Sequence, residues 1–391
     1  MPTNSCYLKS APALLAFLLL QPLCAWTAEV RKPARAVTLA QRIESILRRP
    51  EARRGHWGIE VVRLSDGKVL YTRNAEELFI PASNMKMFTT AAAIEKLGPD
   101  FRFRTTVEVE APPDGAGRVG DLFLVGRGDP NLGHRVLPDR PRPVNEEPAD
   151  AVLQKLAGQV AAKGVREVAG NLVADDTHFL FEPFSHGWEE DDLQWGYGAP
   201  VTALAFNDNA LLIRFAPGAA VGERARVELE PSGDYYRLNN RLETAPAGTR
   251  TRIYVERKTG SKRLEVWGEI AADADEDEDS VSMDDPPRFA AELFRRALEA
   301  RGITVRGQVE VRHVTRVEAA TRPDAFPQSP ARVVLAEHVS QPLAEDIKTI
   351  NKFSQNLHVE MLLRTLGAEV KQYGSLTVGL EVLDEFAREA G

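Results

Sequence analysis

Ser83-Asn84-Met85-Lys86 is the first stretch of the chain whose residue types and spacing could do covalent chemistry. Side chains three positions apart on a helix share a face, so the Lys86 amine comes within reach of the Ser83 hydroxyl, a base beside a nucleophile. A free lysine titrates at about 10.4, and Lys86 acts as a base near neutral pH only if burial or cationic neighbours favour the neutral amine. The helix N-terminus supplies positive potential and a backbone N–H that can face an oxyanion. The spacing alone is ordinary. Ser65-Asp66-Gly67-Lys68 repeats it where the chain reads as a hairpin turn, and a lone Ser83 equally suits a helix N-cap. The second candidate, Ser354-Gln355-Asn356, sets a hydroxyl and an amide two residues apart between two helical patterns. Two readings stay open there, a cleft-lining pair and a serine that caps the following helix.

The elements that must position these residues follow from periodicity and punctuation. Leu39 to Leu47 is a basic amphipathic stretch, and Trp57 to Tyr71 alternates as two short strands around Asp66-Gly67, a type I′ hairpin signal. Phe79-Ile80-Pro81-Ala82 leads into Ser83, after which Met85, Met87, Phe88, Ala91, Ile94 and Leu97 give an apolar helical pattern closed by Gly98-Pro99. Short strands then dominate: Thr105 to Val109, Leu122 to Val125, Leu211 to Phe215, Val227 to Leu229, Arg252 to Glu256, Leu264 to Trp267 and Gln308 to Val311. A proline-rich loop, Pro138 to Pro148, and helices at Ala149 to Lys163 and Pro287 to Arg301 interrupt them. Residues 101–334 therefore read as an α+β insertion, divisible into two subdomains, between 29–100 and 335–391. A last helical region starts near Pro342, passes Ile350 and Phe353, and restarts after Ser354.

Composition narrows the function. The net charge of -8 argues against nucleic acid as a partner, because such binders need a basic face. Much of the acidity is local, in Asp273, Asp275, Glu276, Asp277, Glu278, Asp279, Asp284 and Asp285, with no intervening base. Glu278 stands where a calcium-binding EF-hand needs glycine, so the run reads as a solvated loop. Seven histidines without close ligand spacing give no reason to expect a metal or other cofactor, and His338 and His358 read as packed or hydrogen-bonded structural residues. The first 28 residues, with Lys9, an apolar run from Ala11 to Leu20 and small residues near Ala28, read as a secretory signal peptide. Both cysteines, Cys6 and Cys24, lie inside it, so the expected mature chain is exported, free of cysteine, and soluble or peripheral at a membrane.

The motifs together resemble a known family. Phe79 through Lys86, Glu337-His338, Ser340, Pro342-Leu343 and Asn351-Lys352-Phe353-Ser354-Gln355-Asn356-Leu357 through Glu360 are similar to the class C penicillin-binding proteins. These are D-alanyl-D-alanine carboxypeptidase/endopeptidases of the penicillin-binding protein 4 type. The insertion carries the resemblance further, in Gly126-Arg127-Gly128-Asp129-Pro130, Asp175-Asp176 and Tyr197-Gly198-Ala199-Pro200 through Asn209.

The resemblance implies an α/β fold, a transpeptidase and serine β-lactamase-like domain split by the α+β insertion. It implies that Ser83 attacks the carbonyl between two D-alanines, that Lys86 takes its proton, and that Ser354 relays a proton to the leaving D-alanine. Asn356 would bind the acyl side of the substrate, and Asp192, among Glu189, Glu190 and Asp191, would read the amino end of the stem-peptide side chain. The expected ligands are peptidoglycan stem peptides and β-lactams, and the expected location is the periplasm. The family has a third motif, K-T-G, after the S-x-N helix. The chain ends at Gly391 without it and so reads as C-terminally truncated, while Lys258-Thr259-Gly260 precedes Ser354 and reads as a turn. Two alternatives stand beside this reading: a non-catalytic muropeptide-binding scaffold of the same fold, and a serine β-lactamase, which the long insertion disfavours.

Overall fold

The computed structural model describes residues 37–133, 147–233, 235–321 and 331–391. The N-terminal segment read as a signal peptide, with both cysteines, and the proline-rich loop up to residue 146 lie outside these residues. The chain forms two compact units, one ending at Ile80 and the other running Pro81–Gly391.

In the first unit, Thr38 caps helix α1 (Leu39–Leu47) through a reciprocal pair of bonds with Gln41. Glu44 on α1 accepts from the Tyr71 hydroxyl at 2.6 Å and from Arg73, which ties the helix to strand β2 (Lys68–Arg73). Strand β1 (Ile59–Arg63) pairs antiparallel with β2, closing at Arg63↔Lys68. The expected two-residue type I′ turn is thus corrected to a four-residue loop, 64–67. A type I′ turn needs positive φ at both central residues, and in this loop only Gly67, at +68°, has it.

The second unit opens with helix α2 (Met85–Leu97), which buries a different face from the one its apolar letters suggest. Met85, Met87, Phe88 and Ile94 are 44–62% exposed, whereas Lys86, Thr89, Thr90, Ala92 and Ala93 are buried. The small residues let α2 lie close to helices α6 (Leu343–Phe353), α7 (Asn356–Lys371) and α8 (Leu376–Ala390), where Ala92 and Ala93 pack with Ile350, Leu362, Leu366 and Val382. Side-chain size at the crossing decides the contact face, over total hydrophobicity.

The remaining helices are α3 (Ala151–Ala162), α4 (Pro286–Ala300) and the short α5 (Arg316–Thr321). The strands continue as β3 (Arg104–Val109), β4 (Arg118–Val119), β5 (Leu122–Val125), β6 (Glu167–Val168), β7 (Leu172–Leu180), β8 (Ala210–Ala216) and β9 (Arg226–Glu230). They end with β10 (Arg237–Ala245), β11 (Arg252–Glu256), β12 (Arg263–Ala271), β13 (Asp277–Ser282), β14 (Thr304–Val305), β15 (Val309–Val314) and β16 (Val333–Val339).

A five-stranded mixed sheet, β15-β7-β5-β3-β16, forms the centre of this unit. Its strands alternate by the two-residue pleat. Val107, Leu122, Leu124 and Leu172 face α3 and α4, packing with Leu153, Leu156, Phe289 and Phe294. On the opposite face Arg127 donates to Thr106 and Glu108, and buried Arg332 lies over the Phe123 ring and bonds Asp175 at 2.9 Å. That pair absorbs half of the Asp175-Asp176 motif. Asp176 takes the rest, accepting from the Leu204 N–H and pairing with His313.

Two three-stranded sheets, β13-β8-β9 and β10-β12-β11, share a core of Ile213, Phe215, Leu242, Leu264, Val266 and Val281. Here the acidic run departs from the expected loop: from Asp277 it is strand β13, paired antiparallel with β8. The strand's backbone pairs with β8 while Asp277 and Glu278 keep their carboxylates exposed, so solvation and strand formation do not compete. Lys258-Thr259-Gly260 lies in the connection between β11 and β12.

Candidate active site

Ser83 sits in a 3-10 turn, Ala82–Asn84, that runs directly into α2. Ala82 takes φ +46°, a left-handed conformation that costs a non-glycine residue about 1 kcal/mol or more, and this turn presents Ser83 at the surface. One turn on, Lys86 points the other way into the unit and is 9% exposed. Its Nζ lies 3.1 Å from Ser83 Oγ, 3.1 Å from Ser354 Oγ and 2.7 Å from Asn356 Oδ1. Burial lowers the Lys86 pKa, with partial opposition from the Glu360 carboxylate.

The other half of the site is the break between α6 and α7. Ser354 ends α6 in the left-handed region, φ 55° and ψ 40°, which turns the chain sharply enough to aim its hydroxyl at α2. That hydroxyl donates to Ser83 Oγ at 2.8 Å. Ser354 therefore does not cap α7. The cap is Gln355, whose Oε1 accepts from the Leu357 N–H. Asn356, the first residue of α7, spends its Oδ1 on Lys86 and one Nδ2 hydrogen on the Tyr197 carbonyl at 3.0 Å. Its Nδ2 carries a second hydrogen that can meet a ligand.

The structure thus brings together Ser83, Lys86, Ser354 and Asn356, all from the second unit. Asp192 is one step removed. It ends a 3-10 turn, Glu190–Asp192, is half-buried where Glu189, Glu190 and Asp191 are exposed, and bonds the Tyr197 phenol. Partial burial, then Asp192, push that phenol up. A cavity of about 460 Å³ opens beside the site, lined by Trp195, Tyr197, Asp208, Ser280, Ser354 and Asn356.

Beneath Gln355 lies a buried polar chain that the sequence did not reveal. Gln355 Nε2 donates to Asp208 Oδ2 at 2.8 Å, and His358 bonds Asp208 Oδ1 at 2.9 Å through Nε2 and Asp346 Oδ1 at 2.6 Å through Nδ1. Burial alone would push the His358 pKa down. Asp346 and Asp208 overcome it and raise it to about 9, so the ring is an imidazolium. Asp129, 1% exposed, faces the same cluster, and burial with the nearby Asp346 pushes it up to about 7, against the Asn131 N–H and His358. The expectation of a hydrogen-bonded His358 matches this arrangement, but its partners were missed. One usable signal was Asn207-Asp208-Asn209, three residues tolerant of the left-handed region, which here take φ 50°, 57° and 52° in succession.

The Gly126-to-Pro130 segment buttresses this region. It follows β5, and a Cβ on Gly126 would fall 2.3 Å from Leu204 Cα, so glycine permits the approach of two backbones. The Gly128 N–H then bonds the Ala203 carbonyl at 2.8 Å, which brings Asp129 under the 203–209 segment.

With this geometry in hand, comparison with known proteins gives a consistent assignment. The chain is 37% identical over 358 residues to the D-alanyl-D-alanine carboxypeptidase of Actinomadura sp., covering 90% of this chain and 61% of that protein. It is 22% identical over 311 residues to the D-alanyl-D-alanine carboxypeptidase DacB of Haemophilus influenzae, covering 79% and 58%. The chain thus spans about three fifths of the length of these relatives. The crystal structure of penicillin-binding protein 4 from Haemophilus influenzae superposes with a TM-score of 0.68 at 21% identity, over 85% of this chain and 67% of that one. The same protein complexed with a novel β-lactam gives 0.62 at 19% identity, over 85% and 66%. The mixed α/β fold expected from the motifs is shared with that protein. The model of the family described as D-Ala-D-Ala carboxypeptidase 3 (S13) matches residues 39–391, and this chain belongs to that family.

Proposed function

We propose that the protein is a serine D-Ala-D-Ala carboxypeptidase/endopeptidase that acts on peptidoglycan stem peptides or crosslinks in the periplasm and is acylated by β-lactams. The observation that carries this reading is the position of Lys86 Nζ, 3.1 Å from both serine hydroxyls. A neutral amine has two hydrogens and one lone pair. The hydrogens suit Asn356 Oδ1 and Ser354 Oγ, which leaves the lone pair for the Ser83 proton. Family membership and the names of the two carboxypeptidase relatives support the choice of bond, and the β-lactam complex of the solved relative supports the choice of inhibitor.

The steps then balance. Ser83 Oγ attacks the D-alanyl carbonyl as Lys86 Nζ takes its proton, and the Ser83 N–H at the start of the helix faces the developing oxyanion. Lys86 returns that proton to Ser354 Oγ as Ser354 gives its own to the leaving amine. The C–N bond breaks to leave an acyl-Ser83 ester. In deacylation water gives a proton to Lys86 Nζ as it attacks the ester carbonyl. The bond from that carbonyl carbon to Ser83 Oγ then breaks as Lys86 returns the proton to Oγ, which regenerates the serine and releases the carboxylic acid product. Asn356, through its second Nδ2 hydrogen, binds the acyl side, and Asp192 reads the side chain of the stem peptide.

Intact-mass spectrometry after incubation with benzylpenicillin tests the reading, with Ser83→Ala as control and peptide mapping of the adduct. One adduct on Ser83, absent in the control, is the expected result. Folded protein that takes up no adduct would overturn the acyl-enzyme and leave the binding-only alternative.

A further inference from the structure

The Ser354–Asn356 segment is held on one side by Lys86 and on the other by a chain of buried polar groups that no step of the proposed reaction uses. Gln355, which links the two site residues, is buried, and its side chain is committed to Asp208 Oδ2 at 2.8 Å and to the Leu357 N–H. Asp208 stands on a turn of three successive left-handed residues, an arrangement that needs a tertiary anchor to persist. The anchor is His358, 1% exposed, which joins Asp208 to Asp346.

We propose that His358 is a positioning residue: bridging Asp208 and Asp346, it fixes Asp208 under Gln355 and thereby holds Ser354 and Asn356 at the distance Lys86 requires. The inference rests on the reading of Ser83 as the acylated residue only for its consequence in rate; the positioning itself is independent of that reading. The groups facing His358 are Asp346 from α6, Asp208 from the turn before β8, and Asp129 from the turn after β5. All three are carboxyls, so a neutral ring loses one of its two donated bonds and leaves one carboxylate without it. The raised pKa places that loss in the alkaline range, near pH 9. A histidine that merely filled space would be replaceable by an apolar residue without effect on the segment.

Two measurements separate the possibilities. Hydrogen exchange of the peptide covering residues 350–360 reads positioning without chemistry. In His358→Gln and in Asp346→Asn it should quicken at least fivefold, while peptides from β10 and β12 stay unchanged. The rate of Ser83 acylation by a fluorescent penicillin, resolved into binding and acylation steps between pH 6 and 10, reads the consequence. Wild type should lose acylation rate above about pH 9, and His358→Gln should be at least tenfold slower at pH 7, without that alkaline limb and with binding unchanged. Exchange at 350–360 and an acylation profile that both match wild type would sink the proposal. If the variants fail to fold, wild type titrated from pH 7 to 10 must still show the intrinsic-rate-corrected exchange of 350–360 quicken near pH 9, and a flat profile there counts against it. Absence of any wild-type adduct would count against the proposed function, and hydrogen exchange alone would then decide whether His358 positions the segment.

Discussion

Replacing Lys86 by methionine should separate catalysis from stability. The amine is 9% exposed and makes three hydrogen bonds, at 3.1, 3.1 and 2.7 Å. Each such bond contributes about 0.5–1.5 kcal/mol net, so their loss costs roughly 1.5–4.5 kcal/mol. Against this, methionine is of similar length and apolar, and it removes the penalty of burying an amine, an effect of comparable size for an ionisable group. The Glu360 carboxylate acts on Lys86 only through space. The two sums nearly cancel, and the unfolding free energy should change by less than about 2 kcal/mol. Acylation has no such compensation. Removing the base should slow Ser83 acylation by about 10²–10⁴, or roughly 3–5.5 kcal/mol of barrier. The wild-type rate should also climb with pH as the amine, its pKa lowered by burial, loses its proton, and K86M should lack that limb. Stopped-flow labelling with a fluorescent penicillin, paired with urea unfolding, measures both. A K86M protein that acylates within tenfold of wild type would refute the assignment of Lys86 as base. One that loses more than about 3 kcal/mol would show that the amine supports the fold instead.

Three further outcomes follow from the same geometry. Ser354→Gly and Ser354→Ala both remove the proton relay and should acylate slowly, but glycine accepts φ 55° freely, so the glycine variant should unfold at higher urea, by about 0.5–1 kcal/mol. Asp129→Asn keeps an acceptor for the Asn131 N–H and cannot ionise. Wild-type Asp129 holds its proton to about pH 7 in the fold against 3.8 unfolded, so the stability it lends is complete below about pH 4 and lost as pH rises through 7. The variant should therefore match wild type at pH 4 and exceed it at pH 8, on the order of a few kcal/mol, and equal curves at both pH values would contradict that sign. Leu362→Ala opens a cavity in the core shared by α2, α6, α7 and α8, and calorimetry or urea unfolding should register a loss of about 2–5 kcal/mol.

What the sequence made legible was the local chemistry. Ser83 and Lys86 are linked by helical spacing, and Ser354 and Asn356 by a two-residue interval, while the grouping of the two pairs came from the family resemblance alone. Strands rich in β-branched and apolar letters, such as β3, β5 and β11, were equally legible. Strand β10 was not, because Asn239-Asn240 in its middle spells a turn. In the fold those amides are spent laterally, Asn239 on Glu265 and Asn240 on the Ala225 carbonyl, while the backbone pairs in parallel with β12. The face of α2 was misjudged for a related reason. Its apolar letters outnumber its buried ones, and the close crossing with α6, α7 and α8, which only small residues such as Ala92 and Ala93 permit, turns that face and Lys86 inward. The acidic run hid a strand because charge reports on where side chains point and says nothing of backbone pairing.

The buried chain from Gln355 to Asp346 was illegible for a deeper reason, and it bears on how the site works. Asp129, Asp208, Asp346 and His358 come from four separate segments, each unremarkable where it stands. Their meaning lies in a balance of charge: three carboxyls around one imidazolium, one of them kept protonated to near neutrality by burial. Lys86 sits on the opposite side of the same segment, where burial lowers its pKa. The Ser354–Asn356 segment is thus clamped between an amine that must be neutral to accept a proton and an imidazole that must be charged to hold its partners. The two requirements set opposite limits on pH. Acylation should rise as Lys86, its pKa lowered by burial, loses its proton, and it should fall near pH 9 as His358 loses its own, so the two groups pull the rate in opposite directions as pH rises.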